Sequence, residues 1–390
     1  MPKLAAELAD INSQRLAQVG PSGIRAFDVK VSAIPGIIKL TIGEPDLNVP
    51  EHVKQAAIKS IEENDSHYAP QMGKPRLRQA ISQYLKRTRQ VDYDPATEVI
   101  VTCGATEAIN VALRGILNEG DKVVIPTPTF ALYFPVVTLA GATPIQIDTS
   151  KDNFLLTPEH LEKVLAQEGD RVKALILNYP SNPTGVQYPK ELVQELAQVA
   201  KKHHLYIITD EIYSDLCYGV EHYSMATALP EQTIFISGLS KSHAMTGYRL
   251  GYLAGPAAIM KKLGKLHALM VTSITDNVQA AAIEAFEHGQ NDPVEAAKIY
   301  QTRRDYILAQ LKEAGLKTVY PQGAFYIFAQ IPASYQGDDV AFANDLAYQA
   351  KVGVTPGSAF GKGGEGYVRL SYAASMDDIK EAMARIKQFL

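Results

Sequence analysis

Three short apolar runs in this chain end in residues that can do chemistry. The run Ala174–Asn178 opens into Asn178-Tyr-Pro180-Ser-Asn182-Pro183-Thr184-Gly185, where two prolines and a glycine favour a tight, rigid loop. The run Leu205–Thr209 ends in Asp210-Glu-Ile-Tyr213. An acid at the end of a buried strand is costly without a partner, although Asp210 alone reads equally well as a helix N-cap. The run Thr233–Ser237 ends in Gly238-Leu-Ser240-Lys241-Ser242-His243. A lysine beyond a buried strand and among small residues would be desolvated, and its amine would serve as nucleophile or base. Taken singly, Lys241 reads as a surface charge. Arg249 follows it just before another apolar run, and Thr102-Cys103-Gly104-Ala105-Thr106-Glu-Ala108 leads from a strand straight into a helix. Such a junction offers free N–H groups and a helix dipole to an anion.

One cofactor accounts for the whole set. Pyridoxal phosphate (PLP) needs a lysine to carry it, an acid facing its ring nitrogen, donors around its phenolic oxygen and an anion cradle for its phosphate. Lys241, Asp210, Tyr213, Asn182 and Arg249 match those needs, with Gly104, Ala105 and Thr106 as the cradle. Other patterns carry nothing. Gly361-Lys-Gly363-Gly-Glu-Gly366 has the G-x-G-x-x-G spacing, but an apolar run follows it where a dinucleotide site needs a helix, so it reads as a loop. Gly357–Lys362 is one residue short of a phosphate loop. His203-His204 has no further Cys or His at ligand spacing, and no metal site is expected. Cys103 and Cys217 read as buried small hydrophobes.

The elements that must position these residues follow from the apolar patterning. Runs at Val99–Thr102, Val123–Pro126, Pro144–Ile147, Ala174–Asn178, Tyr206–Thr209, Ile234–Ser237 and Arg249–Ala254 alternate with helix-like segments such as Thr106–Leu117 and Lys190–His203. That alternation implies an α/β fold with a mainly parallel sheet, whose ligands sit beyond the carboxyl ends of the strands. A long helical pattern at Pro293–Ala314, short strands at Thr318–Val319, Ala324–Ala329 and Tyr367–Tyr372, and a last helix at Met376–Leu390 imply a smaller α+β unit. The expected division is a large unit over 46–290 and a small one of 1–45 with 291–390. Met1–Gln18 has the spacing of an amphipathic helix and lacks the apolar run of a signal peptide. Hydrophobic residues at 46% over 390 positions suffice for a large core, and no stretch suits a membrane span. A net charge of −4 gives no sign of a nucleic-acid partner. Two cysteines exclude a disulfide framework. Cytoplasm is the expected location.

On these motifs the chain resembles the class I/II PLP-dependent aminotransferases of fold type I. The resemblance also rests on Gly43-Glu-Pro-Asp46, Tyr68 with Gly73 and Leu77-Arg78, Ser240-Lys-Ser-His-Ala-Met-Thr-Gly-Tyr-Arg249, and Val368-Arg369-Leu-Ser-Tyr372. It covers essentially the whole length and is nearest the bacterial aromatic amino acid aminotransferases and the aminotransferase A group. It implies a large domain with a mainly parallel seven-stranded sheet. It implies that Lys241 carries PLP and later moves the Cα proton, that Asp210 keeps the ring nitrogen protonated, and that Tyr213 and Asn182 bond the phenolic oxygen. Gly104, Ala105, Thr106, Ser240 and Arg249 would hold the phosphate, and Phe130 would stack on the ring. Tyr68 would reach the cofactor of a partner subunit in a homodimer. Arg369, with Gly43 and Asn182 beside it, would take the substrate carboxylate. The substrates would be an amino acid, by resemblance aromatic, and a 2-oxo acid such as 2-oxoglutarate. Three positions depart from relatives: Gly238, which leaves one donor fewer for the phosphate; Leu47, which would reshape the pocket or an N-terminal lid; and Tyr248, where relatives often carry Trp. The alternatives are an N-acetyl-diaminopimelate aminotransferase and a PLP-dependent carbon–sulfur β-lyase on the same scaffold. A non-catalytic regulator is disfavoured, because little chain precedes the motifs.

Overall fold

The computed structural model describes residues 2–8 and 13–390. Seven strands form one sheet: β1 (Val99–Thr102), β2 (Lys122–Thr127), β3 (Thr143–Asp148), β4 (Val172–Asn178), β5 (Tyr206–Asp210), β6 (Thr233–Gly238) and β7 (Gly251–Ala254). Their spatial order is β1-β7-β6-β5-β4-β2-β3. All neighbours run parallel except β7, which is antiparallel to both β1 and β6. This is the mainly parallel α/β sheet expected. The strands at its centre are apolar along both faces because helices cover both: β4, β5 and β6 are buried almost throughout. Helix Lys190–Lys202 shows the complementary pattern, burying Val193, Leu196, Ala197 and Ala200 at helical spacing.

A second sheet is antiparallel, with β8 (Tyr326–Gln330) and β9 (Thr355–Pro356) flanking β10 (Tyr367–Ser371). Its core joins Phe325, Ile327, Val368 and Leu370 to Ile379, Met383 and Ile386 of the last helix, Met376–Phe389. The same core includes Ile212, Tyr213 and Leu216, which follow β5. The two sheets are thus packed through the very segment that follows Asp210. Arg303 reinforces this region from helix Asp292–Glu313, gripping Asp46 with both Nη atoms at 2.6 and 2.8 Å.

Some expectations fail. In the N-terminal segment the described residues form two short 3-10 turns, Ala6–Leu8 and Leu16–Gln18, and no continuous helix; residues 9–12 of that expected helix lie outside the described residues. The first regular helix is Gly23–Ser32, started by the Ser22 hydroxyl accepting from the Arg25 amide. Strand β7 begins at Gly251, because Arg249 takes a left-handed φ of 56° that ends strand geometry there. Cys103 is exposed at a helix start, and Cys217 is only half-buried. Leu47 packs against the core of the second sheet.

At Gly251 the sheet lies close against the start of the helix Gly104–Ile116. A Cβ there would lie 2.4 Å from the Ala105 amide nitrogen and 2.5 Å from the Gly104 carbonyl carbon. Both neighbours are backbone and cannot swing aside. Gly251→Ala is therefore expected to destabilise the fold by about 1–3 kcal/mol, read as a lower midpoint in urea with an unchanged slope.

Candidate active site

The carboxyl ends of β4, β5 and β6 open into a cavity of about 800 Å³ that also reaches Arg369 and the helix Gly23–Ser32. Asp210, the last residue of β5, is 3% exposed. Its Oδ2 accepts from the Tyr133 hydroxyl at 2.7 Å and its Oδ1 from the Ile212 amide at 3.2 Å. Burial nevertheless raises its pKa to about 6, against the pull of those two donors. Asn178, at the end of β4, donates to the Asp210 carbonyl at 2.9 Å and accepts from the Asn182 amide at 3.0 Å. One side chain thus ties the proline-rich loop to the acid.

Lys241 lies beyond β6. Its Nζ donates to the Gly43 carbonyl at 2.7 Å and stands 5.9 Å from the ring centres of both Tyr213 and Phe325. Burial pulls the amine from 10.5 down to about 8; Glu44 opposes the shift, and Arg249 and Arg369 add to it. The Tyr213 and Tyr326 hydroxyls are 2.7 Å apart.

Arg369 on β10 is 2% exposed. Its Nη1 donates to Asn182 Oδ1 at 2.8 Å and its Nη2 to the Thr41 carbonyl at 2.5 Å. The guanidinium lies between two aromatic rings, 4.5 Å from the Tyr326 centre and 4.8 Å from that of Phe360. Its Nε is buried without a partner among the described residues.

On the other side the helix Gly104–Ile116 points its start at Arg249. Gly104 has φ 73°, and a Cβ on it would lie 2.5 Å from Arg249 Nη2. The left-handed conformation favours glycine here. Ala105, Thr106 and Ser240 line the cavity next to Arg249. Gly238 is closely packed: a Cβ there would meet the Leu250 carbonyl at 2.7 Å and Gly251 Cα at 2.9 Å. Phe130 lines the same cavity, edge-on to Tyr133 at 5.7 Å.

The cavity thus collects Gly43, Ala105, Thr106, Phe130, Asn182, Asp210, Tyr213, Ser240, Lys241, Arg249 and Arg369, with Gly104 at its edge. Tyr68 is not among them. It is 87% exposed and borders a separate cavity with Ser273–Asn277. Two residues that sequence reasoning missed are Tyr133 and Tyr326. Each acts through a contact distant in sequence, and only the order of strands brings it in. Among the described residues no cluster suits a metal ion, and no helix is long and apolar enough to cross a membrane.

Residues 35–386 match the family model for aminotransferase class I and II. The chain belongs to the class I and II aminotransferases. This aminotransferase is 43% identical over 369 residues to a "Probable N-acetyl-LL-diaminopimelate aminotransferase" of Bacillus subtilis (strain 168), covering 95% of this chain and 93% of the other. It is 39% identical to "Aromatic-amino-acid aminotransferase 2" of Thermococcus litoralis, with 97% and 98% covered. Among solved structures it is similar to the aspartate aminotransferase of Thermus thermophilus with maleate, at a TM-score of 0.92 and 35% identity, covering 97% of this chain and 99% of that one.

The displaced lysine has a measurable consequence in the cofactor-free aminotransferase. Between pH 8 and 10.5 the folded chain binds fewer protons at Lys241 than the unfolded chain, so stability rises with pH across that window. Lys241→Met removes the buried charge. The variant is expected to be the more stable protein at pH 7, by up to about 3 kcal/mol at about 1.4 kcal/mol per pH unit, with the gap closing as pH rises from 8 to 10.5. Urea unfolding at pH 7 and at high pH checks this.

Proposed function

We propose that this enzyme binds PLP in the cavity around Lys241 and exchanges the amino group between an aromatic amino acid and a 2-oxo acid such as 2-oxoglutarate. The observation that carries the reading is the meeting of a desolvated lysine, a buried acid and a buried arginine in one cavity, contributed by β6, β5 and β10. The residues fit the cofactor. Arg249 over the helix start at Gly104 makes a cationic cradle for a phosphate. The unpartnered Nε of Arg369 leaves a donor for an anion. Asp210, its pKa raised by burial, would be relieved by a cationic N–H.

When bound, PLP supplies an aldehyde that links to amines and a ring that takes up the electron pair left at Cα. The chain does the rest. Lys241 would hold the cofactor, and once free its amine would take the Cα proton and return it as a general acid. With a pKa lowered toward neutrality it keeps a larger neutral fraction for that work. Asp210 would hold a proton on the ring nitrogen. Tyr213 and Asn182 would donate to the phenolic oxygen. Arg369, already fixed by Asn182, Thr41 and two rings, would grip the substrate carboxylate without reordering.

Ile24, Val29, Ile42 and Phe130 give part of the cavity an apolar wall, which supports an aromatic donor. The 43% identical relative favours N-acetyl-diaminopimelate as the second reading. We further propose that Tyr68, exposed on this chain, serves the partner's site in a homodimer, and that 46–290 forms the large unit with 1–45 and 291–390 as the small one.

A donor screen with Phe, Tyr, Asp, Ala and N-acetyl-diaminopimelate against 2-oxoglutarate separates these readings. Phe or Tyr is expected to give the highest kcat/KM; preference for the last donor replaces the aromatic reading. The purified protein is expected to be yellow, with a visible band that reports the cofactor. Lys241→Ala is expected to lose that band and at least about 10²–10⁴-fold in turnover. Colourless wild-type protein that stays inactive with added PLP contradicts the proposal.

A further inference from the structure

We infer that Tyr326 is a positioning residue that couples the donor to the cofactor's phenolic oxygen with the arginine that takes the substrate carboxylate. The inference rests on the PLP reading above. Three independent contacts converge on this one buried side chain. Its hydroxyl is 2.7 Å from that of Tyr213, its ring covers the Arg369 guanidinium at 4.5 Å, and its hydroxyl lies against Gly43 so closely that a Cβ at 43 would be 2.2 Å away. Gly43 in turn accepts from Lys241 Nζ at 2.7 Å. Tyr326 is 1% exposed, so none of these contacts competes with water.

In the pair itself either hydroxyl can donate. A phenolic oxygen that accepts the Tyr213 proton removes that choice. Tyr213 then has only lone pairs left for Tyr326, and Tyr326 becomes the donor. The order Tyr326 to Tyr213 to phenolic oxygen is a chain in which each bond strengthens the next. The ring does separate work. Together with Phe360 it packs against the guanidinium, so the charge that meets the carboxylate is positioned before substrate arrives. Gly43 is glycine because the hydroxyl occupies the space of a side chain.

The two functions separate by substitution in the holoenzyme. Tyr326→Phe keeps the buried ring and removes only the hydroxyl. The pH midpoint of the visible PLP band is expected to rise by about 0.3 unit or more, because a weaker Tyr213 bond stabilises the phenolate less. In a Tyr213→Phe background the same substitution is expected to leave the midpoint where it is, since the hydroxyl then has nothing to polarise. An unchanged or lowered midpoint, or an equal shift in both backgrounds, overturns the hydroxyl's role. Affinity for hydrocinnamate, a carboxylic acid without an amino group, is expected to stay within about twofold in Tyr326→Phe and to fall about 3- to 30-fold in Tyr326→Leu. Equal affinity in all three proteins overturns the ring's role. Wild-type protein with no visible band after PLP is added defeats the PLP reading itself, and this inference with it; a visible band with no pH midpoint overturns the hydroxyl's role alone.

Discussion

The structure depends on taking one amine out of water. Lys241 is half-buried beyond β6, desolvated enough to pull its pKa down, with Arg249 and Arg369 adding to the shift and Glu44 resisting. An ammonium in that position loses solvation and gains repulsion, so the fold must be held around it by other means. The parallel strands do this. Their carboxyl ends deliver Asp210, Asn178 and Lys241 to one rim, and their buried apolar runs fix the register of that rim. Backbone contacts do the rest, with the Gly43 carbonyl accepting from the amine and the Thr41 carbonyl holding Arg369.

The second sheet completes the site. Tyr213 follows β5 yet belongs to the core of the antiparallel sheet, where Tyr326 and Phe325 pack edge-on to it. The cationic and acidic sides of the cavity are therefore set by contacts between the two sheets. This arrangement explains why residues as far apart in sequence as Gly43 and Arg369 share a cavity.

The strand-end chemistry was legible because each functional residue directly follows an apolar run, and apolar runs report strands. Asp210, Lys241 and Asn182 stood out only as a set, since Asp210 alone reads equally well as a helix N-cap and Lys241 alone as a surface charge. The first turn of the helix at Gly104 was legible for the same reason. Tyr133 and Tyr326 were not, because an aromatic in an apolar segment carries no mark of the hydroxyl partner that tertiary packing supplies. The amphipathic spacing of the first residues misled, since periodicity without a neighbouring face to bury does not secure a helix. Cys103 misled because it takes the N-cap position of the helix Gly104–Ile116, where its side chain is exposed. The close approach of β7 to β6, which forces glycine at 238, is a property of two backbones and is invisible in either segment alone.

The central claim is that the desolvated amine of Lys241 carries the cofactor. Borohydride reduction of the PLP-loaded protein, followed by digestion and peptide mass spectrometry, tests it directly. One pyridoxyl group fixed on Lys241, with the other lysines unmodified, is the result predicted. A stoichiometric label on any other lysine, or none at Lys241, would contradict the account.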